Sequence, residues 1–210
     1  MYKKLISINL AVILLVTAVY IGGYYCINYP FRFDLWYILK ECQLQYLLAG
    51  FAITALISYL ISSLDFKKLN FKDKFLRIFP VLNSLILIFL VYIASTAFIK
   101  NKRELSNLEK HYIREAEKDI KRDQIVIRYG GFLLPPYDKE TNRKIDGIYK
   151  KYGVISKNTG CVIDVMDIKA REKYTELANS YLEKRNGKGW KKTMEKEIDN
   201  IKKKHNPGVK

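Results

Sequence analysis

In the first hundred residues the apolar positions run without interruption; beyond them they recur in steps. Three stretches carry no charged residue: Leu5–Phe31 with 27 residues, Cys42–Leu64 with 23 and Ile78–Ile99 with 22. At about 1.5 Å of rise per residue, even 22 helical residues reach roughly 33 Å, against a hydrocarbon core of about 30 Å. A backbone in lipid must bond its own polar groups, so each run is predicted to be a helix. The predicted spans are 5–28, 43–64 and 78–99 within a membrane region of residues 1–99. For the first run the alternative is a cleaved signal peptide with Met1–Lys4 as its basic start. The run is longer than a usual signal core, and Tyr25, before Cys26, is too bulky for lipoprotein processing.

From residue 100 the period changes. Leu105, Leu108, Tyr112, Ala116 and Ile120 recur every three or four residues, which predicts a helical stalk over 100–123. Residues 124–129 contain Ile-Val-Ile and read as a strand, followed by the punctuation of Gly130-Gly131 and Pro135-Pro136. A helix is predicted over 141–152 and capped by Gly153. An extended stretch over 154–164 is interrupted at Asn158-Thr159-Gly160 by a hairpin turn or a bulge. A second helix covers 167–185 with Tyr174, Leu177, Ala178, Tyr181 and Leu182 as its stripe. A third covers 189–203 with Trp190, Met194, Ile198 and Ile201. The fold class is therefore three transmembrane helices plus a small C-terminal α/β or α+β domain on a helical stalk. That domain spans 124–204, and 205–210 is expected to be a disordered tail.

Charge sharpens the division. The net charge is +16, from 37 Lys and Arg against 21 Asp and Glu. Residues 1–100 hold 10 of the cations and 4 of the acids, at the ends of the apolar runs. A soluble single-domain protein, a wholly disordered chain and a disulfide-dense module are excluded. The loop over 28–41 places Tyr29, Phe31, Phe33, Trp36 and Tyr37 where interfacial rings belong. The loop over 65–77 mixes Phe66, Leu69, Phe71, Phe75 and Leu76 with five cations and is expected on an anionic leaflet. Lys3, Lys4, Lys67, Lys68, Lys72, Lys74 and Arg77 outnumber Arg32 and Lys40, which predicts a cytoplasmic N-terminus and an external C-terminal domain. Lys100, Lys102 and Arg103 oppose that count, but long domains cross largely regardless of charge. Lys exceeds Arg by 28 to 9, a bias that suits an AT-rich prokaryote and its plasma or inner membrane.

The candidate chemistry is sparse. No Asp, Glu, Lys, Arg or His lies inside the apolar runs, which argues against a transporter or channel. Gly50, Thr54, Ser58 and Ser62 share one helical face, and Ala18 and Gly22 share another; both faces are candidates for close helix packing. Cys26 and Cys42 flank the first loop and would pair only in an oxidising compartment. Cys161, in Cys161-Val162-Ile163, reads as a buried small hydrophobe, because neither His111 nor His205 is placed to activate it. Neither a metal site nor a cofactor is expected. Asp164 and Asp167 read as caps of the following helix.

The densest cationic cluster is Lys184, Arg185, Lys188, Lys191 and Lys192, with Trp190 at its edge. It is a candidate surface for anionic lipid headgroups or for a membrane or envelope protein partner; nucleic acid is disfavoured. The reading that follows is a non-enzymatic, multi-pass anchored interaction or accessory protein in contact with the lipid bilayer. Its alternative is a membrane-bound enzyme using Asp164, Asp167, Tyr129 and Cys161 at the boundary between domain and bilayer.

Overall fold

The computed structural model describes residues 2–64, 69–130, 137–160 and 164–205. The elements are α1 (Tyr2–Ile27), α2 (Leu35–Glu41), α3 (Leu44–Ser63), α4 (Phe71–Lys121), β1 (Ile125–Tyr129), α5 (Lys139–Lys151), β2 (Val154–Asn158), α6 (Val165–Asn186) and α7 (Trp190–His205). The chain divides into two compact units, Met1–Arg103 and Glu104–Lys210, with the boundary inside α4.

In the first unit α1, α3 and α4 are long and apolar enough to cross a membrane. Large side chains such as Leu14, Leu48 and Ile88 are exposed along them, a surface suited to hydrocarbon rather than water. The first loop is more ordered than its sequence predicted. Asp34 accepts from the N–H groups of Trp36 and Tyr37 and so starts α2, which the loop reading had missed. Trp36 stays 83% exposed, in keeping with an interfacial ring. Gln43, in the left-handed region at φ 49°, breaks the chain between α2 and α3.

α4 begins seven residues before the predicted span, which places Pro80 in the helix interior rather than in its first turn. Proline lacks an N–H, so the carbonyl of Leu76, four residues earlier, loses its helical partner. Asn9 of α1 supplies the replacement: its Nδ2 donates to the Leu76 carbonyl at 2.9 Å. Further up, Gly23 and Ala94 meet closely enough that a Cβ on Gly23 would lie 3.5 Å from that of Ala94. At the far end Asn101 Nδ2 donates to the Ile27 carbonyl at 2.9 Å. These ties ascend both helices together, so α1 and α4 run parallel. α3 is antiparallel to them: Thr54 Oγ1 donates to Asn83 Oδ1 at 3.3 Å, and Lys74 Nζ reaches the Leu64 carbonyl, at the C-terminal end of α3, at 2.7 Å.

In the second unit Ile125 and Val154 sit opposite each other in a parallel pair of strands, and both are fully buried. α5 is the crossover that a parallel pair requires. Asp138 starts α5 by accepting from Glu140 N and Thr141 N, each at 2.9 Å. The helix ends at Gly153, whose φ of +72° and N–H to the Lys150 carbonyl release the chain into β2. Gly187 closes α6 in the same region of φ, and its N–H reaches the Glu183 carbonyl. The core is completed by Ala170, Tyr174, Ala178 and Leu182 of α6, and by Trp190, Met194 and Ile198 of α7. Leu177, read as part of the α6 stripe, is instead 38% exposed, and Ala170 takes the buried place at a strict spacing of four. The segment read as a stalk continues the third apolar run as one helix. Its Leu105, Tyr112 and Ala116 are buried within the second unit.

β2 stops at Asn158. Thr159 bonds the Tyr129 carbonyl through both its N–H and its hydroxyl, and Gly160 turns at φ +79°. Residues 161–163, on which the hairpin-or-bulge alternatives turn, lie outside the described residues, as does the predicted tail beyond His205.

The Asn9–Leu76 tie makes a coupled prediction. Asn9→Leu should destabilise the full chain in detergent by about 1 kcal/mol, as interhelical hydrogen bonds in membranes do. Adding Pro80→Ala, which restores an N–H to the Leu76 carbonyl, should recover most of that loss. Equal losses in the two backgrounds, read by unfolding in mixed detergent, would refute the pairing.

Candidate functional site

The second unit gathers its polar side chains where α4, β1 and α6 meet. Tyr174, 3% exposed, donates its hydroxyl to Asp119 Oδ2 at 2.7 Å and accepts the Val126 N–H at 2.8 Å. That N–H points away from β2, so the phenol covers part of an otherwise open strand edge. Burial, with the Asp119 carboxylate beside it, holds the Tyr174 phenol well above its ordinary range.

Arg128 of β1 packs its guanidinium 5.4 Å from the Tyr112 ring centroid and 5.5 Å from that of Tyr174. Its Nη2 donates to Glu115 Oε2 at 2.9 Å. Alongside, the Tyr112 hydroxyl and the Arg171 guanidinium both donate to Asp167. Burial pushes Asp167 up, but the bonds from Tyr112 and Arg171 outweigh it and leave the carboxyl below its usual range. Arg128 Nη1 and Arg171 Nε are buried without a protein partner. The opposite charges are matched pair by pair: Glu115 with Arg128, and Asp167 with Arg171.

A second cluster lies at the C-terminal end of α6. Arg185 grips Asp123 through Nε at 2.5 Å and Nη2 at 2.8 Å, while Nη1 reaches the Lys151 carbonyl at 3.2 Å. The Tyr181 hydroxyl joins Asp123 at 2.8 Å. A Cβ on Gly153 would lie 3.0 Å from both Arg185 and Asp123, so this clamp and the left-handed turn require the same glycine. The Arg185 bond, with help from Tyr181, lowers the Asp123 carboxyl. Lys151 and Tyr152 do the same to Glu197 of α7.

These positions sort the residues singled out from the sequence. Arg185 is clamped onto Asp123. Lys184, Lys188, Lys191 and Lys192 are exposed at the α6–α7 corner, and Trp190 is buried in the core. Asp164 caps α6 by accepting from Met166 N at 2.9 Å. Asp167 belongs to the ion-pair network, and Tyr129 is 48% exposed at the end of β1. Cys161 lies outside the described residues. Among the described residues no group of three His, Cys, Asp or Glu side chains is placed to hold a metal. In the first unit Thr54, Ser58 and Ser62 are buried, and the hydroxyls of Ser58 and Ser62 bond the carbonyls four residues earlier, Thr54 and Ser58. Gly50 shares their face but has open space where a Cβ would stand. The same is true of Gly22, while Ala18 is exposed. The close approach on α1 is therefore made by Gly23, one position beyond the predicted pair. Cys26 and Cys42 carry free thiols.

Sequence reasoning missed Arg128, Glu115 and Asp119. The available signal was the placement of Glu115 and Asp119 beside the apolar stripe of α4, three and seven residues after Tyr112. Compared with known protein families, curated proteins and solved structures, the chain matches none.

The clamped carboxylates make stability depend on pH. Asp123, Asp167 and Glu197 all have folded pKa values below the ordinary range of about 4. Their contribution is therefore complete above that range and lost as pH falls through the folded values. The thermal midpoint of the second unit should be level from pH 7 to about 5 and should fall below about pH 4. Asp123→Asn should lower the level region and flatten the fall. A midpoint unchanged at pH 3, followed by circular dichroism, would contradict the role given to these pairs.

Proposed function

We propose that the chain is an integral, multi-pass membrane protein that serves as an anchored docking module, with the α6–α7 corner of its second unit as the contact surface. The observation that carries this reading is the contrast within one cationic cluster. Arg185 is held by Asp123, whereas Lys184, Lys188, Lys191 and Lys192 are exposed and make no ion pair among the described residues. Four ammonium groups around one corner favour an acidic protein surface, by speeding encounter and setting register. The internal network supports a non-enzymatic role, because Glu115 and Asp167 are tied to guanidinium groups and Asp119 holds the buried Tyr174 hydroxyl. The three apolar helices support the anchor, since their buried Asn9, Thr54, Ser58, Ser62 and Asn83 are bonded to a neighbouring helix or back to their own.

The orientation that fits the loop charges places the N-terminus and the α3–α4 connection in the cytoplasm, with the second unit outside the plasma or inner membrane of a prokaryote. Protease treatment of intact cells or spheroplasts should then remove a C-terminal tag. Protection until lysis would reverse the orientation.

The docking surface is tested in the full chain in its native membrane. A photocrosslinker at position 188 or 191 should yield one discrete protein adduct. Changing Lys184, Lys188, Lys191 and Lys192 to Glu should reduce it at least tenfold, while Arg185→Lys tests the clamp separately by its effect on melting. Crosslinking to lipid alone, or an adduct unchanged by charge reversal, would overturn the assignment.

A further inference from the structure

At the N-terminal end of the first unit an open groove of about 480 Å³ lies between α1 and α4, lined by Tyr2, Ile6, Phe71, Lys72, Phe75 and Leu76. Its wall is aromatic and ordered: the Phe71 and Phe75 rings stack at 6.4 Å between centroids, and Phe75 stacks on Phe79 at 5.7 Å. We infer that this groove is a binding site for one anionic glycerophospholipid of the adjoining leaflet, with an acyl chain along the apolar wall and the phosphate at Lys72.

Three observations choose this occupant. The walls offer few polar groups, so a peptide or nucleotide would leave its own donors and acceptors unsatisfied there. The groove opens beside two helices whose exposed apolar surface calls for hydrocarbon, so lipid is the neighbour at hand. The charge is complementary. Lys3, Lys4, Lys72 and Arg77 are all exposed at this end, and basic pockets between helices take acidic headgroups. Asp73, the only acid at this end among the described residues, is buried and accepts from the Tyr2 hydroxyl at 3.4 Å. Lys74 is drawn away to the Leu64 carbonyl. Among the described residues Lys72 is thus the one cation that lines the groove. A zwitterionic lipid shares the phosphate but brings a second, positive group into a field of four cations, so the site selects the acidic class.

The test uses the full chain extracted from its native membrane, delipidated stepwise in mild detergent and weighed by native mass spectrometry with headgroup analysis. Wild type should retain one anionic phospholipid after the bulk lipid is gone. Lys72→Gln should cut that retention about tenfold, the loss expected for a charge-assisted bond. Ile6→Trp, which fills the groove without touching charge, should cut it as far. Arg77→Gln, which removes a cation outside the groove, should leave it within about twofold. Helical circular dichroism of each variant shows that the fold survives. Wild type free of lipid, equal retention of zwitterionic lipid, equal losses in Lys72→Gln and Arg77→Gln, or full retention in Ile6→Trp would each overturn the assignment. The site belongs to the first unit and the α6–α7 corner to the second, and neither result bears on the other.

Discussion

The carbonyl of Leu76 is the point on which the first unit turns. Pro80 removes the N–H that a helix would offer it, and in an apolar setting an unbonded carbonyl is expensive. Asn9 answers from another helix, and in doing so fixes the height of α1 against α4. Once that register is set, Gly23 falls against Ala94 and Ile27 comes within reach of Asn101. One missing donor thus becomes a positional instruction. Apolar side chains alone could not give it, because between helices in lipid they have no hydrophobic drive to prefer one register over another.

The second unit obeys the same rule in water with different means. A two-stranded parallel sheet is small, and its outer backbone groups need partners. Tyr174 supplies one at Val126 and ties the strand to Asp119 of α4 in the same stroke. Arg128 then spans Tyr112, Tyr174 and Glu115, so β1, α4 and α6 are joined by one set of side chains. A unit with so small a sheet gains a third face from α4, whose Leu105, Tyr112 and Ala116 are buried in it. The helix is apolar to its neighbours on one stripe only, which is why it looks like a charged stalk when read alone.

Much of this architecture was legible in the sequence because it rests on periodicity. The uninterrupted runs marked the long helices, the Ile-Val-Ile run marked β1, and Gly153 marked the end of α5. What escaped depends on partners far away in the chain. The sequence around Pro80 does not reveal that Asn9 will satisfy Leu76, and nothing in residues 66–77 shows that the helix already begins at Phe71. Gly22 and Gly23 differ by one step of about 100° around α1, and only the neighbouring helix decides which of them is the contact. The polar network was hidden for a related reason. Glu115, Asp119 and Arg128 look like ordinary surface charges until the chain brings them beside Tyr112 and Tyr174.

The same rotation decides what each cation does. Lys72 and Lys74 are two residues apart, yet one lines the groove and the other is buried on the end of α3. Lys184 and Arg185 are adjacent, yet among the described residues one makes no ion pair and the other is spent on Asp123. A count of positive charge therefore overstates the surface available for recognition. It also blurs its location, since a guanidinium gripped by a carboxylate projects little field and an ammonium bonded to a carbonyl is held away from the surface. Among the exposed cations, one group stands around a groove at the N-terminal end of the first unit and another at the α6–α7 corner of the second. Where a cation is left uncompensated after the fold has used the rest, its side-chain entropy stays unspent and its like-charge repulsion unrelieved. An anionic partner relieves that repulsion, which is the physical reason to look for recognition at these two surfaces.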